Sequence, residues 1–272
     1  MKVAAIQMVS AVAREANLAR AHTLLAQAAA AGAELAVLPE YFCMMGRKDS
    51  DKLALREAPG DGVVQGFLAA AARELSLWIV GGTLPIAAGD EQHVFNSSFA
   101  YSPSGECVAR YDKIHLFFFD NGRERYDEGR VIAPGKVPVL FDLPSRDGHR
   151  WRIGMSVCYD LRFPELYRAL ARQGAELLLV PSAFTRVTGA AHWETLLRAR
   201  AIENLAWVVA PAQGGTHENG RQTWGQTLGA DPWGTVVAQQ ASGEAVVLAE
   251  LDAAQTARCR AQLPGLTLCR IT

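Results

Sequence analysis

Three strand-like stretches each end in a reactive side chain, in the segments Leu38-Pro39-Glu40, Tyr111-Asp112-Lys113 and Ser156-Val157-Cys158. Strand ends are where α/β folds gather their functional groups. A thiol can attack a carbonyl, and a carboxylate can take the thiol proton and later return a proton to a leaving amine. An ammonium can stabilise the oxyanion that forms in between. Cys158, Glu40 and Lys113 therefore suffice, as residue types, for acyl transfer without a histidine.

Each of these residues also has an ordinary structural interpretation. A cysteine at the end of a buried strand is usually an inert small hydrophobe, Lys113 could be a solvated charge, and Glu40 could cap a helix or lie on the surface. The run from Gly154 to Cys158 departs from the G-x-S-x-G elbow of serine hydrolases because its fifth residue is cysteine. We therefore expect Ser156 within a strand. Position alone leaves the catalytic and structural interpretations of the three residues open.

The residues around Cys158 carry a family resemblance. Residues 156–166, with the sequence SVCYDLRFPEL, resemble the nucleophile motif of the nitrilase superfamily of carbon–nitrogen hydrolases. Leu38-Pro39-Glu40 resembles the glutamate motif of that family, and residues 111–116 resemble its lysine motif. The motifs occur in the family's order with similar spacing, and the resemblance covers nearly the whole chain.

The resemblance implies an α/β fold, a four-layer α-β-β-α sandwich built as one domain over residues 1–272. It further implies that Cys158 is the nucleophile, that Glu40 acts first as general base and then as general acid, and that Lys113 is the cation facing the oxyanion. No cofactor or metal is implied.

Two further site residues follow from the resemblance. The backbone N–H of Tyr159 would complete the oxyanion hole. Family members also use a second glutamate after the lysine, which holds the lysine and steers substrate or water. Glu128 matches this glutamate best by position, with Glu124 the less favoured candidate.

Segments beyond the nucleophile are similar to the deaminated glutathione amidase branch of the family. They are residues 181–185, 188–194, 198–204, 212–217 and 231–234. The branch implies hydrolysis of a damaged tripeptide to 2-oxoglutarate and cysteinylglycine, and the ω-amidase branch, acting on 2-oxoglutaramate, is the nearest alternative. An acyl-transferring relative and a non-catalytic binding protein on the same scaffold are further interpretations.

The substrate pocket is expected to include residues near the nucleophile. In the family fold the branch-like segments flank the nucleophile's side of the pocket, which makes Ser182, Phe184 and Thr185 candidate substrate-binding residues. Arg162 could bind a substrate carboxylate or join a structural ion pair, because a guanidinium suits both.

The chain departs from the branch at two places that bear on this pocket. Trp224-Gly225-Gln226-Thr227 stands where tyrosine, glycine, histidine and serine are usual, and Phe117-Phe118-Phe119 makes the loop after Lys113 unusually aromatic.

Composition restricts the class of protein. The 272 residues carry 27 basic and 28 acidic side chains, and a net charge of -1 gives no reason to expect nucleic acid or a membrane surface as a partner. No apolar run reaches the length of a bilayer span. Five cysteines without C-x-x-C spacing, and histidines without H-E-x-x-H, favour free thiols and no zinc site. We expect a cytoplasmic protein acting on a small-molecule amide, and the resemblance implies a homodimer.

Alternating patterns predict strands and helices from end to end. Strands are predicted at residues 1–8, 34–38, 77–83, 151–157, 176–180, 206–211, 223–229, 235–240 and 245–251, with a hairpin over 94–111. Helices are predicted at residues 13–31, 63–76, 164–173, 190–204 and 252–263.

Overall fold

The structure is a computed structural model that describes residues 1–122 and 125–270. In that part of the chain the strands are β1 Lys2–Gln7, β2 Leu35–Val37, β3 Trp78–Val80, β4 Leu84–Ala87, β5 Val94–Tyr101, β6 Cys107–Asp112, β7 Phe118–Asp120, β8 Arg125–Asp127, β9 Leu140–Pro144, β10 Arg150–Met155, β11 Leu177–Leu179, β12 Trp207–Ala210, β13 Gly214–Thr216, β14 Gln222–Trp224, β15 Thr227–Ala230, β16 Val236–Gln240 and β17 Ala245–Glu250. The helices are α1 Arg14–Ala30, α2 Asp51–Ala54, α3 Val63–Leu75, α4 Pro164–Arg172, α5 Arg186–Asn204, α6 Ala253–Gln262 and α7 Gly265–Leu268. Two short 3₁₀ helices cover Glu128–Arg130 and Cys158–Arg162.

Two main sheets form the centre of the described structure. The first has the order β17-β1-β2-β3-β5-β4 with β6 added beside β5, and the second has the order β16-β15-β12-β11-β10-β9. The strands β1, β2 and β3 run parallel, as do β10, β11 and β12. Because parallel strands end at the same edge of a sheet, the loops after β2 and β10 bring their side chains to one side of each sheet.

Strand β1 shows how the layers are stacked. Val3 and Ala5 pack into the core between the two sheets, whereas Ala4 and Ile6 pack into the core under α1 and α3. Successive strand residues point to opposite faces, so a strand buried on both faces must lie between two apolar layers.

The second sheet is covered in the same way by α4 and α5, through Leu170 and Leu197 among others. The predicted four-layer α-β-β-α sandwich is therefore confirmed.

Most predicted elements are present, with ends that differ from the patterns by at most three residues. The hairpin over 94–111 is β5 paired with β6, and Gly32 and Gly174 follow α1 and α4 with positive φ of 82° and 94°. No helix within the described ranges is long and apolar enough to cross a membrane.

The predicted start of α5 is wrong. The helix begins at Arg186, four residues before the expected Ala190, because the Thr185 side chain accepts a hydrogen bond from the Thr188 N–H and caps the first turn. Thr185 is thus both a helix cap and, as described below, a pocket residue.

The predicted strand over 223–229 is two strands. Gly225 and Gln226 have φ of 72° and 58°, and this left-handed pair turns the chain out of one sheet and into another. A side chain at Gly225 would lie 2.5 Å from the carbonyl oxygen of Ala241, so glycine is required there. As a result β14 pairs with β13 in a separate hairpin, and β15 joins the second sheet.

Candidate active site

The three reactive side chains come together where β2, β6 and β10 end. The Nζ of Lys113 lies 3.0 Å from Oε1 of Glu40. Glu40 and Cys158 line one pocket, and the charge of the Glu40 carboxylate raises the pKa of the Cys158 thiol in addition to the larger effect of burial. The geometry thus places a thiol and a carboxylate on one pocket, with an ammonium bound to that carboxylate, which no single strand could do.

Cys158 occupies a strained elbow. Its φ is 49°, in the left-handed region that costs a residue with a Cβ about 1 kcal/mol or more. The backbone compensates because the Cys158 N–H donates to the carbonyl of Pro181 at 3.0 Å, and the Ser156 hydroxyl donates to the carbonyl of Leu179 at 2.8 Å. Ser156 was expected within the strand but lies one residue past β10, which ends at Met155, and its hydroxyl is bound to the backbone. The elbow turns the thiol away from the sheet and into the pocket.

The Glu40 carboxylate is fixed on both of its oxygens. Oε2 accepts from the backbone N–H of Ala183 at 2.9 Å, and Oε1 accepts from the Asn96 amide and the Lys113 ammonium, each at 3.0 Å. Its side chain is 1% exposed. A carboxylate with these donors and a thiol beside it is restrained to one position, which is the geometry that proton transfer requires.

A close backbone approach places the segment that carries Glu40. Gly82, after β3, has φ of 46°, and a Cβ there would lie 2.0 Å from the carbonyl oxygen of Pro39. The next residue, Thr83, accepts the Tyr41 N–H on its hydroxyl at 2.9 Å. Glycine at position 82 therefore lets the end of β3 press against the turn that precedes Glu40.

Lys113 is a fully buried cation with two carboxylate partners. Its ammonium lies 2.7 Å from Oε2 of Glu128 and 3.0 Å from Glu40, with no side-chain exposure. Burial alone lowers the pKa of the ammonium, but the charges of Glu128 and Glu40 outweigh burial and raise this pKa well above its usual value. Lys113 therefore stays charged throughout the physiological pH range.

Glu128 orients the ammonium of Lys113. Its Oε1 accepts from the Tyr41 hydroxyl and its Oε2 from the Phe117 N–H, each at 2.8 Å. Burial alone would raise the pKa of the Glu128 carboxyl, but the charge and hydrogen bond of Lys113 lower it. The structure thus brings Glu128 to the predicted position of the second glutamate, and Glu124, the other candidate, lies outside the described residues.

The Cys158 thiol is protonated at neutral pH. Burial raises its pKa well above the usual value, the Glu40 charge raises it further, and the Lys113 ammonium lowers it only in part. Cys158 therefore carries a neutral thiol, which would need a base in order to act as a nucleophile, and the Glu40 carboxylate on the same pocket is suited to that role.

Asp160 ties the Cys158 elbow to the segment that carries Lys113. Its fully buried carboxylate accepts from the Val157 N–H at 2.8 Å and the Tyr111 hydroxyl at 2.7 Å. It also accepts from the backbone N–H of His115 at 3.0 Å and contacts that residue's ring nitrogen at 2.7 Å. One carboxylate thus holds both strand ends, and sequence reasoning did not single it out.

The predicted substrate-binding residues differ in where they lie. Tyr159, Arg162, Phe184 and Thr185 line the pocket, and the Arg162 guanidinium stacks over the rings of Tyr159 and Phe184 at 5.7 and 5.5 Å. Arg162 contacts Nδ1 of His192 at 3.2 Å and has no carboxylate within ion-pair distance among the described residues. The structural ion pair that the sequence left open for Arg162 is therefore not formed in the described part of the chain.

Ser182 does not line the pocket. Its hydroxyl donates to the carbonyl of Val180 at 2.9 Å and its N–H donates to the carbonyl of Pro211. These two hydrogen bonds to backbone carbonyls hold Ser182 in the interior, and the pocket wall begins at the next residue, with Ala183, Phe184 and Thr185.

Five pocket residues were not predicted as site residues: Tyr41, Phe117, Ala183, Thr188 and Arg221. Phe117 belongs to the aromatic run noted in the sequence, and Tyr41 directly follows Glu40. Thr188 begins the branch-like segment 188–194 and reaches the pocket from the first turn of α5, whereas nothing local marks Arg221, which reaches it from the β13–β14 hairpin. Within residues 1–122 and 125–270 no group of three or more histidine, cysteine or acidic side chains is arranged to hold a metal ion.

Replacement of Asp160 by asparagine should destabilise the fold, because the amide nitrogen of asparagine would face N–H and O–H groups that now donate hydrogen bonds to the carboxylate. We expect Asp160→Asn to lower the free energy of unfolding by about 1–3 kcal/mol in urea titrations. The control is Asp142→Asn, whose carboxylate only approaches Arg150 and Arg152 at 3.9 and 4.0 Å on the surface, and which should cost at most about 1 kcal/mol. Equal losses for the two variants would contradict the anchoring role of Asp160.

The raised pKa of Cys158 predicts that this residue carries no thiolate near neutral pH. The ultraviolet absorbance of thiolate at about pH 7 should therefore be the same in the wild-type protein and in Cys158→Ala. A thiolate band that is present in the wild-type protein and absent from Cys158→Ala would show that the sulfur is already ionised and would contradict this prediction.

Comparison with known proteins supports the family that the motifs suggest. The family model of the carbon–nitrogen hydrolases matches residues 2–261. The chain is 38% identical to a deaminated glutathione amidase of Synechocystis over 97% of this chain and 96% of that protein. It is 33% identical to the human omega-amidase NIT2 over 97% of this chain and 92% of that protein.

Solved structures agree with the fold. The NitFhit protein of C. elegans superposes with a TM-score of 0.88 at 35% identity, over 99% of this chain and 65% of that longer chain. A variant of an amidase from Nesterenkonia, in which acrylamide has added to the active-site cysteine, superposes with a TM-score of 0.79 at 26% identity, over 98% of this chain and 100% of that chain. The chain therefore belongs to the carbon–nitrogen hydrolase family of the nitrilase superfamily.

Proposed function

We propose that this enzyme hydrolyses an amide through a thioester on Cys158, with Glu40 as the proton carrier and Lys113 as the oxyanion's cation. The observation that carries the proposal is that Cys158 and Glu40 line one pocket, and that the Glu40 carboxylate also binds the buried Lys113 ammonium at 3.0 Å. Glu128 and Asp160 act as positioning residues in this proposal, since each holds a partner rather than a reacting atom. A non-catalytic binding protein would not require the left-handed backbone of Cys158 or the buried ion pair of Lys113 and Glu40.

Acylation begins when the sulfur of Cys158 attacks the amide carbonyl carbon. Glu40 takes the thiol proton as the C–S bond forms, and the carbonyl oxygen becomes an oxyanion that faces Lys113 and the Tyr159 N–H. The C–N bond then breaks, and Glu40 gives its proton to the leaving nitrogen. The products of this half-reaction are a free amine and a thioester.

Deacylation repeats the sequence with water. Glu40 takes a proton from water as the water oxygen attacks the thioester carbon, and the same cation stabilises the second oxyanion. The C–S bond breaks, the sulfur regains the proton from Glu40, and a carboxylic acid leaves. The buried, permanently charged Lys113 suits both oxyanions because it needs no proton exchange during the cycle.

We propose deaminated glutathione as the substrate, with 2-oxoglutaramate as the alternative. The similarity to deaminated glutathione amidases over nearly the whole chain supports the first, and the similarity to an omega-amidase keeps the second in view. Arg162, whose guanidinium lies over two aromatic rings and has no carboxylate partner among the described residues, is suited to bind the carboxylate of a 2-oxo acid acyl group.

We also propose a cytoplasmic homodimer. Cys43, Cys107, Cys158 and Cys259 are free thiols, which suits a reducing compartment. Ile202 on α5, Trp233 in the turn before β16 and Val237 on β16 are exposed large apolar residues. A Cβ on Gly234 would lie 2.6 Å from Ile202, so the first two belong to one surface, which a second copy could cover.

Variants of the triad test the mechanism. Cys158→Ala should abolish turnover with an unchanged circular dichroism spectrum, whereas Glu40→Gln and Lys113→Met should each lower kcat by about a hundredfold or more. Cys259→Ala removes another buried thiol, in α6, and should keep wild-type activity. Turnover by Cys158→Ala above a few hundredths of the wild-type rate would exclude Cys158 as nucleophile.

The substrate proposal predicts a higher kcat/KM for deaminated glutathione than for 2-oxoglutaramate at equal pH. Contacts to the leaving peptide can orient the carbonyl against Cys158, whereas ammonia offers no such contacts. Gln226 in place of the usual histidine is the residue change most able to reverse the preference. A clear advantage for 2-oxoglutaramate would assign the enzyme to ω-amidases with the same chemistry.

The dimer proposal predicts a mass in light scattering of twice the 29.4 kDa chain. Trp233→Ser should shift the mass toward that of one chain, because it removes the largest exposed apolar side chain of this surface. A wild-type mass of one chain would contradict the proposal.

A further inference from the structure

A basic cleft adjoins the catalytic pocket. The two share Tyr41 and Arg221 as walls, so Arg221 faces both spaces. Its guanidinium lies over the Tyr126 ring at 5.5 Å. Burial raises the pKa of the Tyr41 hydroxyl, and the charge of Arg221 acts in the opposite direction. The cleft continues outward from these residues, and its other walls are the side chains of Met44, Met45, Arg47, Lys48, Asp49, Lys52, Arg125 and Tyr126.

The cleft is strongly positive in a protein whose net charge is only -1. Its walls include five cations and one carboxylate, that of Asp49. Two cations have carboxylate partners, since Arg47 lies 2.7 Å from Glu218 and Lys52 lies 3.2 Å from Asp49.

The other three cations, Lys48, Arg125 and Arg221, have no carboxylate within 4.0 Å in residues 1–122 and 125–270. Arg221 is half-buried, whereas Lys48 and Arg125 are exposed. Uncompensated guanidinium and ammonium groups that line a concave surface favour an anionic ligand. A half-buried guanidinium at the junction is the strongest of them, because its charge is screened least by water.

We infer that this cleft binds the leaving group of the substrate, and that the leaving group is an amine that carries a carboxylate, with Arg221 as its main contact. The inference rests on the proposed amidase function and extends it. Arg162 and Arg221 both line the catalytic pocket, but only Arg221 continues into the basic cleft. The two guanidiniums thus suit a substrate with one carboxylate on the acyl part and another on the amine part.

The cleft also has the shape and chemistry for a short peptide. Tyr41 and Tyr126 supply apolar surface with polar tips, and Met44 and Met45 supply adaptable apolar contacts. Ammonia as leaving group would use none of these contacts. The basic cleft therefore distinguishes a peptide-like amine from ammonia by binding energy away from the reacting atoms.

Three amides that share the 2-oxoglutaryl acyl group test the inference. Their leaving groups are cysteinylglycine, its C-terminal amide and ammonia, so that the first two differ only in one carboxylate. We expect the wild-type enzyme to have a kcat/KM for the first that is about tenfold or more above that for the second, the scale of a charge-assisted hydrogen bond. In Arg221→Gln this ratio should fall to near unity.

Matched variants separate a contact from a general effect. Arg186→Gln, an exposed arginine on the neighbouring rim whose Nη1 lies 3.5 Å from Gln222, should keep the wild-type ratio. Lys48→Gln and Arg125→Gln change exposed side chains without burial cost, and each should lower the ratio by about threefold, less at high salt. These two variants decide the matter if Arg221→Gln does not fold.

The outcomes are distinct. A wild-type ratio near unity, with the amides still hydrolysed, would overturn the basic-cleft inference and leave the amidase function standing. A high ratio that survives Arg221→Gln, Lys48→Gln and Arg125→Gln would overturn it as well. If none of the three amides were hydrolysed, the proposed function itself would fail.

Discussion

The ammonium of Lys113 lies out of contact with water, and a buried cation is tolerated only where carboxylates surround it. Glu40 and Glu128 meet this need at 3.0 and 2.7 Å. Removing one partner of such a group leaves an uncompensated charge and costs several kcal/mol, whereas the complete set is stable. The positions of both glutamates are therefore dictated by the same charge that would stabilise an oxyanion.

This constraint extends to the strands that carry the residues. Glu40 must reach the ammonium from the first sheet and Cys158 from the second, so the two sheets have to be aligned where the loops meet. Asp160 performs that alignment, since it binds the backbone before the nucleophile and the backbone after Lys113. Gly82 serves the same end on the Glu40 side by allowing a contact that no side chain would permit.

The sequence alone predicted the parts of the site that depend on residue type next to a strand end. Glu40, Lys113 and Cys158 follow strand ends, and acyl transfer itself demands a carboxylate, an ammonium and a thiol. Glu128 and the four-layer sandwich were implied by the family resemblance, whereas the patterns of the chain indicated only an α/β domain. The motifs that carry the resemblance are short and local in the chain.

The rest depended on distant parts of the chain meeting. Arg221 reaches the pocket on a hairpin that exists because Gly225 and Gln226 leave the extended conformation. The strand-like pattern of the sequence continues through these two residues, so it does not reveal the turn. Thr185 was expected to bind substrate, but the sequence did not reveal that it also caps α5, and the helix begins four residues before its predicted start. Ser182 shows that membership of a pocket segment does not determine which side chains face the pocket.

The central claim is that the acyl group is carried by the sulfur of Cys158, and acid-quenched mass spectrometry during steady-state turnover tests it most directly. The account predicts a peptide containing Cys158 whose mass is raised by the acyl group less one hydrogen, and that this adduct disappears when substrate is exhausted. Rapid turnover with the acyl group on another residue would contradict the account.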